Sequence, residues 1–491
     1  MKSIESIPAM NQGDSYAQFL ERKSQAGSAM GFEPVWMPDF LIDFQKYCTE
    51  WNIRRGRGAL LADCGLGKTP MQLVWSQNIA MKTNKRTLIT TPLAVSSQTV
   101  REANKFGVEV ERSRDGKFSS SSKIIVTNFE RLEHFDPNDF EAAVVDEASI
   151  LKNVGGARRK QITRFISKIP YRLFATATAA PNDYIELGTL SEALGELNHS
   201  EMLKRFFKQL DDKGQKKENR QQDEAEIAIN ADPSYYQKLS YRVAQSIGQW
   251  RLKHHAVTPF WRWVASWALA LRKPSDLGFS DERFVLPPLI ERDHTIEAGP
   301  APGMLFELPA FGLAEEREER RRTLKARCEF AAKLADHDKP VVIWCHMNDE
   351  GDLLEEIVDG ARQIAGRTPD DEKEELYEAF SSGQLKRLVI KPKIGAWGLN
   401  WTHCSHTISF ATHSFEQHYQ SLRRFYRFGQ TSKVVADMIT THGEVRVLKN
   451  MRKKGRKAET MFERLVGEMT RATRIDRQDI YTEKVEVPTW A

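Results

Sequence analysis

The segment 62–69, with the sequence ADCGLGKT, has the composition of a loop that binds the phosphates of a nucleotide. In such loops backbone N–H groups contact the phosphates, a lysine neutralises their charge and a hydroxyl group binds Mg²⁺. An apolar run over 58–62 predicts a strand before the loop, and the pattern over 71–75 predicts a helix after it. The residues predicted to bind ATP here are Gly65, Gly67, Lys68 and Thr69, with Thr69 also as a Mg²⁺ ligand.

Two carboxylates follow an apolar run further along the chain. The run over 142–145 predicts a buried strand that ends at Asp146 and Glu147. Such a pair can place one carboxylate on Mg²⁺ and the other on the attacking water. We therefore assign Asp146 to the metal and Glu147 to the water. A strand end with two solvated acids is the simpler alternative.

These segments, together with QSLRRFYRFGQ over 420–430, resemble the motifs of helicase-type ATPases of superfamily two. The resemblance is closest to the Swi/Snf-like branch and to phage-encoded relatives of the DEAD/DEAH type, and it extends from about Phe32 to about Gly467. It implies an α/β fold with two RecA-like parallel-sheet lobes, a helical insertion between them and a C-terminal helix. The alternation of apolar strands and helical segments along the chain agrees with this fold class.

The resemblance assigns further residues to ATP and to the coupling of the lobes. Relatives read adenine with a glutamine upstream of the phosphate loop, which corresponds to Gln45. Relatives also have an acid where this chain has Arg423, so Arg424 and Arg427 match their arginine fingers. Such arginines accelerate other phosphate-transfer reactions by roughly 10³- to 10⁵-fold. The remaining assignments are Gly398 to the nucleotide, and Thr176, Thr178 and Gln420 to lobe coupling.

The resemblance also predicts contacts to a nucleic-acid backbone from both lobes. The first lobe contributes the motifs around Thr91 and Thr127, and the second lobe contributes the motif that contains Asn400. Relatives commonly carry a small hydroxyl residue before the glycine pair of that last motif, where this chain offers Lys393 as a substitute. The predicted contacts are Thr91, Pro92, Thr127, Asn128, Lys393 and Asn400.

Changes in the sequence pattern, together with what the resemblance implies for the second lobe and the C-terminal helix, divide the chain into five predicted regions. They are a flexible N-terminal segment (1–30), the ATP-binding lobe (31–194), a helical insertion (195–285), the second lobe (286–442) and a C-terminal helical brace and tail (443–491).

Three tryptophans, Trp261, Trp263 and Trp267, dominate the predicted insertion. They invite a role as a wedge against bases, because stacking on an aromatic side chain contributes about 1–3 kcal/mol per base. Packing into a core is the favoured interpretation, since large aromatics at helical spacing usually pack together.

Composition and charge limit the partners, metal sites and cell compartments that we expect for this protein. The formal net charge of +5 over 491 residues is mildly basic, which favours a local groove for a polyanion. The five cysteines include no C-x-x-C pair, which argues against a zinc site. The start of the chain has no pattern of a secretory signal, and the longest apolar run, 260–271, is too short to span a bilayer. We therefore expect an intracellular protein with no membrane partner, and the resemblance implies the cytoplasm of a bacterium or of an infected bacterial host.

The predicted function is that of an ATP-dependent translocase or helicase, with ATP and Mg²⁺ as its nucleotide and metal. Duplex or branched DNA is favoured over RNA, and we expect a monomer on DNA in phage or bacterial replication, recombination or repair, with proteins of those processes as possible partners. An RNA-stimulated helicase and an ATPase subunit of a DNA restriction or defence complex remain open alternatives.

Overall fold

Two parallel β-sheets organise the protein, and apolar side chains cover both faces of each sheet. The computed structural model describes residues 30–152, 156–178, 184–210, 246–247, 250–299, 310, 313–395 and 399–479. Parallel strands that are buried on both faces require near-continuous apolar sequences, and central strands such as Phe140–Asp146 and Val341–Trp344 have them, whereas the edge strand Leu289–Ile296 is largely polar. The predicted class of two RecA-like parallel-sheet lobes is confirmed.

The first lobe contains a seven-stranded sheet with the order β10-β1-β6-β5-β2-β4-β3 and a small antiparallel sheet of β7, β9 and β8. The strands are β1 (Arg57–Ala62), β2 (Arg86–Thr91), β3 (Glu111–Arg112), β4 (Ile124–Asn128), β5 (Phe140–Asp146), β6 (Tyr171–Thr176), β7 (Phe207–Gln209), β8 (Ser246–Ile247), β9 (Trp250–Leu252) and β10 (Ala268–Leu271). The helices are α1 (Asp43–Arg55), α2 (Lys68–Thr83), α3 (Leu93–Lys105), α4 (Ala157–Ile166), α5 (Leu187–Leu194), α6 (His199–Phe206) and α7 (Val257–Trp267).

The second lobe contains a six-stranded parallel sheet with the order β11-β16-β15-β12-β14-β13. The strands are β11 (Leu289–Ile296), β12 (Val341–Trp344), β13 (Ala361–Ile364), β14 (Arg387–Ile390), β15 (His406–Phe410) and β16 (Val434–Thr441). The helices are α8 (Leu313–Arg322), α9 (Leu324–Leu334), α10 (Asn348–Ile357), α11 (Asp370–Ser381), α12 (Pro392–Gly395), α13 (Phe415–Leu422) and α14 (Val445–Asp479). Short 3₁₀ helices occupy Phe129–His134, Pro137–Asp139, Ala148–Leu151, Tyr184–Glu186, His254–Ala256, Pro274–Leu277, Glu282–Phe284 and His442–Glu444.

The structure corrects the predicted boundary of the first lobe at residue 194. Strand β10 lies within the range 195–285 that was predicted as a helical insertion, yet it pairs in parallel with β1, from Ala59 opposite Ala268 to Ala62 opposite Leu271. All four side chains of β10 are buried. Burial of this apolar run against the sheet outweighs its helical propensity, so the first lobe continues at least to Leu271.

The tryptophans of α7 form part of the core of the first lobe. Trp261 and Trp263 are each 2% exposed and Trp267 is fully buried. The ring of Trp261 meets that of Tyr184 edge-on at 5.0 Å, and Trp263 stacks on Phe206 at 5.3 Å. The packing interpretation is confirmed, because these rings cannot reach a base without leaving the core.

The C-terminal helix α14 connects the two lobes. Its first half packs Leu448 and Met451 against the second lobe. Its second half packs Met461 and Leu465 into the aromatic core of the first lobe. At 35 residues the helix is roughly 50 Å long, so a single element reaches both lobes. Among the residues that the structure describes, no helix has the length and hydropathy to cross a bilayer.

Replacement of Trp261 by Ala should destabilise the protein by about 3–5 kcal/mol, because it leaves a cavity in a packed core. The free energy of unfolding in urea measures the change. Met81→Ala is the matched control, since Met81 is 49% exposed, and it should have little effect. A Trp261→Ala variant with unchanged stability would contradict a core role for this ring.

Candidate active site and nucleic-acid channel between the lobes

The predicted phosphate loop connects β1 to α2 through a turn that only glycine adopts easily. Gly65 and Gly67 have φ angles of 85° and 77°, in the left-handed region. Lys68 begins α2, and its Nζ donates to the carbonyl oxygens of Ala62 at 2.9 Å and Asp63 at 3.1 Å. These bonds hold the ammonium group beside the loop. The N-terminus of this 16-residue helix, where the helix dipole is positive, therefore lies at the same loop as the lysine ammonium group.

Gln45 lies against this loop. Its Nε2 donates to the carbonyl oxygen of Leu66 at 3.0 Å, and its Oε1 accepts from the backbone N–H of Ile42 at 3.2 Å. A Cβ atom at Gly67 would come within 2.2 Å of Gln45 Nε2. The side chain thus supports the loop at close range, and its assignment to adenine stays a prediction.

The two predicted acids lie at the end of β5, next to the loop. Asp146 Oδ1 accepts from Gln72 Nε2 at 2.8 Å, and burial raises the pKa of Asp146 to about 6. Glu147 is 8% exposed and has a left-handed backbone with φ 60°, which is strained for a residue with a side chain. Asp146, which is predicted to bind metal, is therefore held by a glutamine and has a raised pKa. Glu147, which is predicted to orient water, is instead held in a left-handed backbone conformation.

The segment of the second lobe that carries the predicted arginines touches the phosphate loop. A Cβ atom at Gly65 would meet the backbone nitrogen of Phe428 at 2.7 Å and Arg427 Cβ at 3.3 Å, so the two lobes touch here. Arg424 is 2% exposed, and its Nη1 donates to the carbonyl oxygen of Leu399 at 3.0 Å. Burial lowers the pKa of Arg424 from its usual value.

The groups around the loop fit a nucleotide with Mg²⁺. Arg427 Nε is buried and makes no hydrogen bond within the described part of the chain, which leaves a donor for a phosphate oxygen. Thr69 and Asp146 supply the hard oxygen ligands that Mg²⁺ prefers. Gly398, which was assigned to the nucleotide, lies outside the described residues.

A continuous chain of hydrogen bonds joins the predicted water-binding acid of one lobe to a predicted arginine of the other. Glu147 Oε1 accepts from Thr176 Oγ1 at 2.8 Å, and Thr176 Oγ1 accepts from the backbone N–H of Thr178 at 3.0 Å. Gln420 Nε2 donates to Thr178 Oγ1 at 3.3 Å, and Arg424 Nη2 donates to Gln420 Oε1 at 3.0 Å. All three residues predicted to couple the lobes are members of this chain.

A second contact between the lobes was missed at the sequence level. Arg423 Nη2 lies 3.2 Å from Asp63 Oδ2, and the hydroxyl of Tyr419 donates to Asp63 Oδ1 at 2.7 Å. Asp63 belongs to the phosphate loop and is 6% exposed. The basic residue at 423, where relatives have an acid, therefore pairs with an acid of the loop. Gln72, which holds Asp146, was also missed, and its position in an ordinary helical pattern gave no signal.

A channel of about 610 Å³ between the lobes contains three of the residues predicted to contact nucleic acid. Pro92 and Asn128 line it from the first lobe, and Lys393 lines it from the second. Glu147 also lines the channel, so it adjoins the candidate ATP site.

The other three predicted contacts are placed differently. Thr91 is fully buried and Thr127 is 1% exposed, so both lie beneath the surface of the channel. The hydroxyl of Thr91 donates to the carbonyl oxygen of Pro92 at 3.0 Å. Asn400 is exposed and is not among the lining residues.

A comparison with protein families indicates which kind of domain the second lobe is. Residues 324–429 match the family described as helicase conserved C-terminal domain. The match extends from α9 to the segment that contains Arg424 and Arg427, and it supports a helicase of superfamily one or two. Such helicases are nucleic-acid-dependent ATPases that typically use Mg²⁺. No curated protein matches the chain.

Replacement of Gly65 by Ala should lower kcat/KM for ATP by about 10- to 100-fold, because a Cβ atom there forces the loop away from Phe428. Steady-state ATP turnover measures the change. Gly107→Ala is the matched control, since Gly107 has a φ of 67° and nothing within 4 Å of an added Cβ atom. Both variants carry the left-handed strain of about 1–2 kcal/mol. Equal activity of the two variants would contradict the contact.

Replacement of Thr176 by Val should lower kcat about 10- to 100-fold with little change in ATP affinity, because it removes one of the two hydroxyls, those of Thr176 and Ser149, that hold Glu147. Thr176→Ser keeps the hydroxyl and should retain most of the activity. Turnover and equilibrium binding of a fluorescent ATP analogue separate the two effects. A loss of binding that equals the loss of turnover would argue against a role in orienting Glu147.

Proposed function

We propose that this protein is an ATP-driven translocase or helicase that acts on duplex or branched DNA, in phage or bacterial replication, recombination or repair. The family match over 324–429 supports a nucleic-acid motor of the helicase type but does not distinguish DNA from RNA. The choice of DNA over RNA depends on the resemblance of the segments around Asp146 and Arg424 to the Swi/Snf-like branch.

The observation that carries the proposal is the channel whose walls come from both lobes. Pro92 and Asn128 belong to the first lobe and Lys393 to the second, so a change in the angle between the lobes changes the distance between these contacts. A strand held at both points moves relative to one lobe whenever the lobes open or close. This geometry supports translocation rather than static binding.

ATP hydrolysis is proposed to drive that change. Lys68 and the loop glycines bind the phosphates, and Thr69 and Asp146 bind Mg²⁺, which neutralises phosphate charge. Glu147 orients the attacking water, and Arg424 and Arg427 approach the γ-phosphate from the other lobe. The hydrogen-bond chain through Thr176, Thr178 and Gln420 connects Glu147 to Arg424 across the two lobes.

The proposal also includes the biological setting. The motor acts as a monomer on DNA in the cytoplasm of a bacterium or an infected host cell, and replication or recombination proteins are its expected partners.

ATP turnover at low salt tests the proposal, with duplex DNA, single-stranded DNA, forked DNA and RNA compared. Lys68→Ala serves as the blank, because it removes the phosphate-neutralising charge. We expect duplex or forked DNA to stimulate turnover by at least about 10-fold. Stimulation by RNA alone would identify an RNA-stimulated helicase, and turnover indifferent to every nucleic acid would point to a subunit that needs a partner.

A further inference from the structure

The lobes meet at a further place, away from the phosphate loop, through an acidic helix. Helix α11 of the second lobe presents two adjacent stripes of side chains. Asp370, Lys373 and Tyr377 line the channel. Asp371, Glu374 and Glu378 form the next stripe, one position further along the helix.

This second stripe pairs with arginines of the first lobe. Arg112 binds Glu374 with two bonds, Nη2 to Oε1 at 2.6 Å and Nη1 to Oε2 at 3.0 Å. Arg114 binds Asp371 at 2.9 Å and shares Glu374 Oε1 at 2.7 Å. These four side chains form one network, and Arg112 is the main cause of the lowered pKa of Glu374.

Arg101 extends the set of arginines along the first lobe. It pairs with Glu378, the last acid of the stripe. Arg101 lies on α3, the helix that begins just after Pro92, and Arg112 lies on β3, which pairs with β4 just before Asn128. Arg101 and Arg112 therefore lie next to the elements that carry Pro92 and Asn128, on the side of β3, which is the edge strand of the first sheet.

These ion pairs hold the arginine side chains in place, but a competing anion can displace the carboxylates. Arg114 and Asp371 are 40% and 82% exposed, Arg101 and Glu378 are about half exposed, and the central pair of Arg112 and Glu374 is less open to solvent, at 21% and 22%. Exposed pairs contribute about 0–1 kcal/mol each and weaken with salt. A guanidinium group binds a phosphate with the same two-pronged geometry that it uses for a carboxylate. A phosphodiester backbone can therefore replace the carboxylates of α11.

We propose that Arg101, Arg112 and Arg114 form an additional phosphodiester-binding site at the rim of the channel, which the carboxylates of α11 occupy until nucleic acid displaces them. The proposal rests on the proposed function. It makes binding of nucleic acid and closure of this rim compete for the same three guanidinium groups. The opposing idea is that the ion pairs only brace the lobes in a closed state that favours binding.

Two neutralised variants of the full-length protein separate these ideas by the sign of their effects. Asp371→Asn, Glu374→Gln and Glu378→Gln together remove the competitor, and Arg101→Gln, Arg112→Gln and Arg114→Gln together remove the site. The probe is a dye-labelled DNA duplex, and fluorescence anisotropy gives its Kd across a range of salt concentrations.

We expect the acid variant to lower Kd at least about 5-fold and the arginine variant to raise it about 10-fold. The slope of log K against log salt should also become shallower by about 2 to 3 in the arginine variant, because each lost phosphate contact removes about 0.9 from it. A brace would move both variants in the same direction.

The acid variant also makes the protein more basic, which alone strengthens binding to DNA. Asp39→Asn, Glu50→Gln and Asp352→Asn together are the matched control, because they neutralise three carboxylates of surface ion pairs away from α11. The acid variant must exceed this control. Single variants Arg112→Gln and Glu374→Gln repeat the test if a triple variant fails to fold.

The outcomes distinguish this proposal from the proposed function. An arginine variant that binds with the wild-type Kd and salt slope overturns the additional site and leaves the motor intact. An acid variant that binds more weakly than the wild type also overturns it. A wild-type protein that binds no nucleic acid would overturn the proposed function itself, and the additional site with it.

Discussion

The hydrogen-bond chain from Glu147 to Arg424 couples the candidate catalytic groups of the two lobes. Each link is an ordinary bond of 2.8–3.3 Å, but the chain crosses from one sheet to the other. Thr176 ends β6 and Gln420 lies in α13, so the chain forms only when the two lobes have the correct relative position. A lobe rotation that breaks the Thr178–Gln420 bond therefore interrupts the link to Arg424, whereas Glu147 keeps its bonds to Thr176 and Ser149 within the first lobe.

Two other features limit how the lobes move around this chain. Helix α14 packs on both lobes and connects the end of β16 to the aromatic core around Trp261. The pairs between Arg423 and Asp63 and between Arg112 and Glu374 hold the lobes on either side of the channel. The first of these is largely buried and lies beside the phosphate loop, whereas the second is more exposed. Salt and nucleic acid should therefore act first at α11.

Local sequence predicted the parts of the site that are contiguous in the chain. The phosphate loop needs glycine at left-handed positions and a lysine at the helix start, so Gly65, Gly67 and Lys68 are readable without a fold. Asp146 and Glu147 can be predicted from the sequence because they follow an apolar run that forms a strand. Thr91 and Thr127, which were predicted to contact nucleic acid, face inward on strands that are buried on both faces, where the motif alone does not reveal direction.

Local patterns in the sequence predicted the two parallel-sheet lobes and the residue types at the phosphate loop, because periodicity and turn chemistry act over a few neighbouring residues. The fold was needed to show that β10 belongs to the first sheet, that Arg423 pairs with Asp63 and that α11 covers the arginines of the first lobe. Each of these contacts joins residues that lie far apart in the chain. Their energy depends on packing and charge across a whole lobe or between lobes, which short-range patterns do not encode.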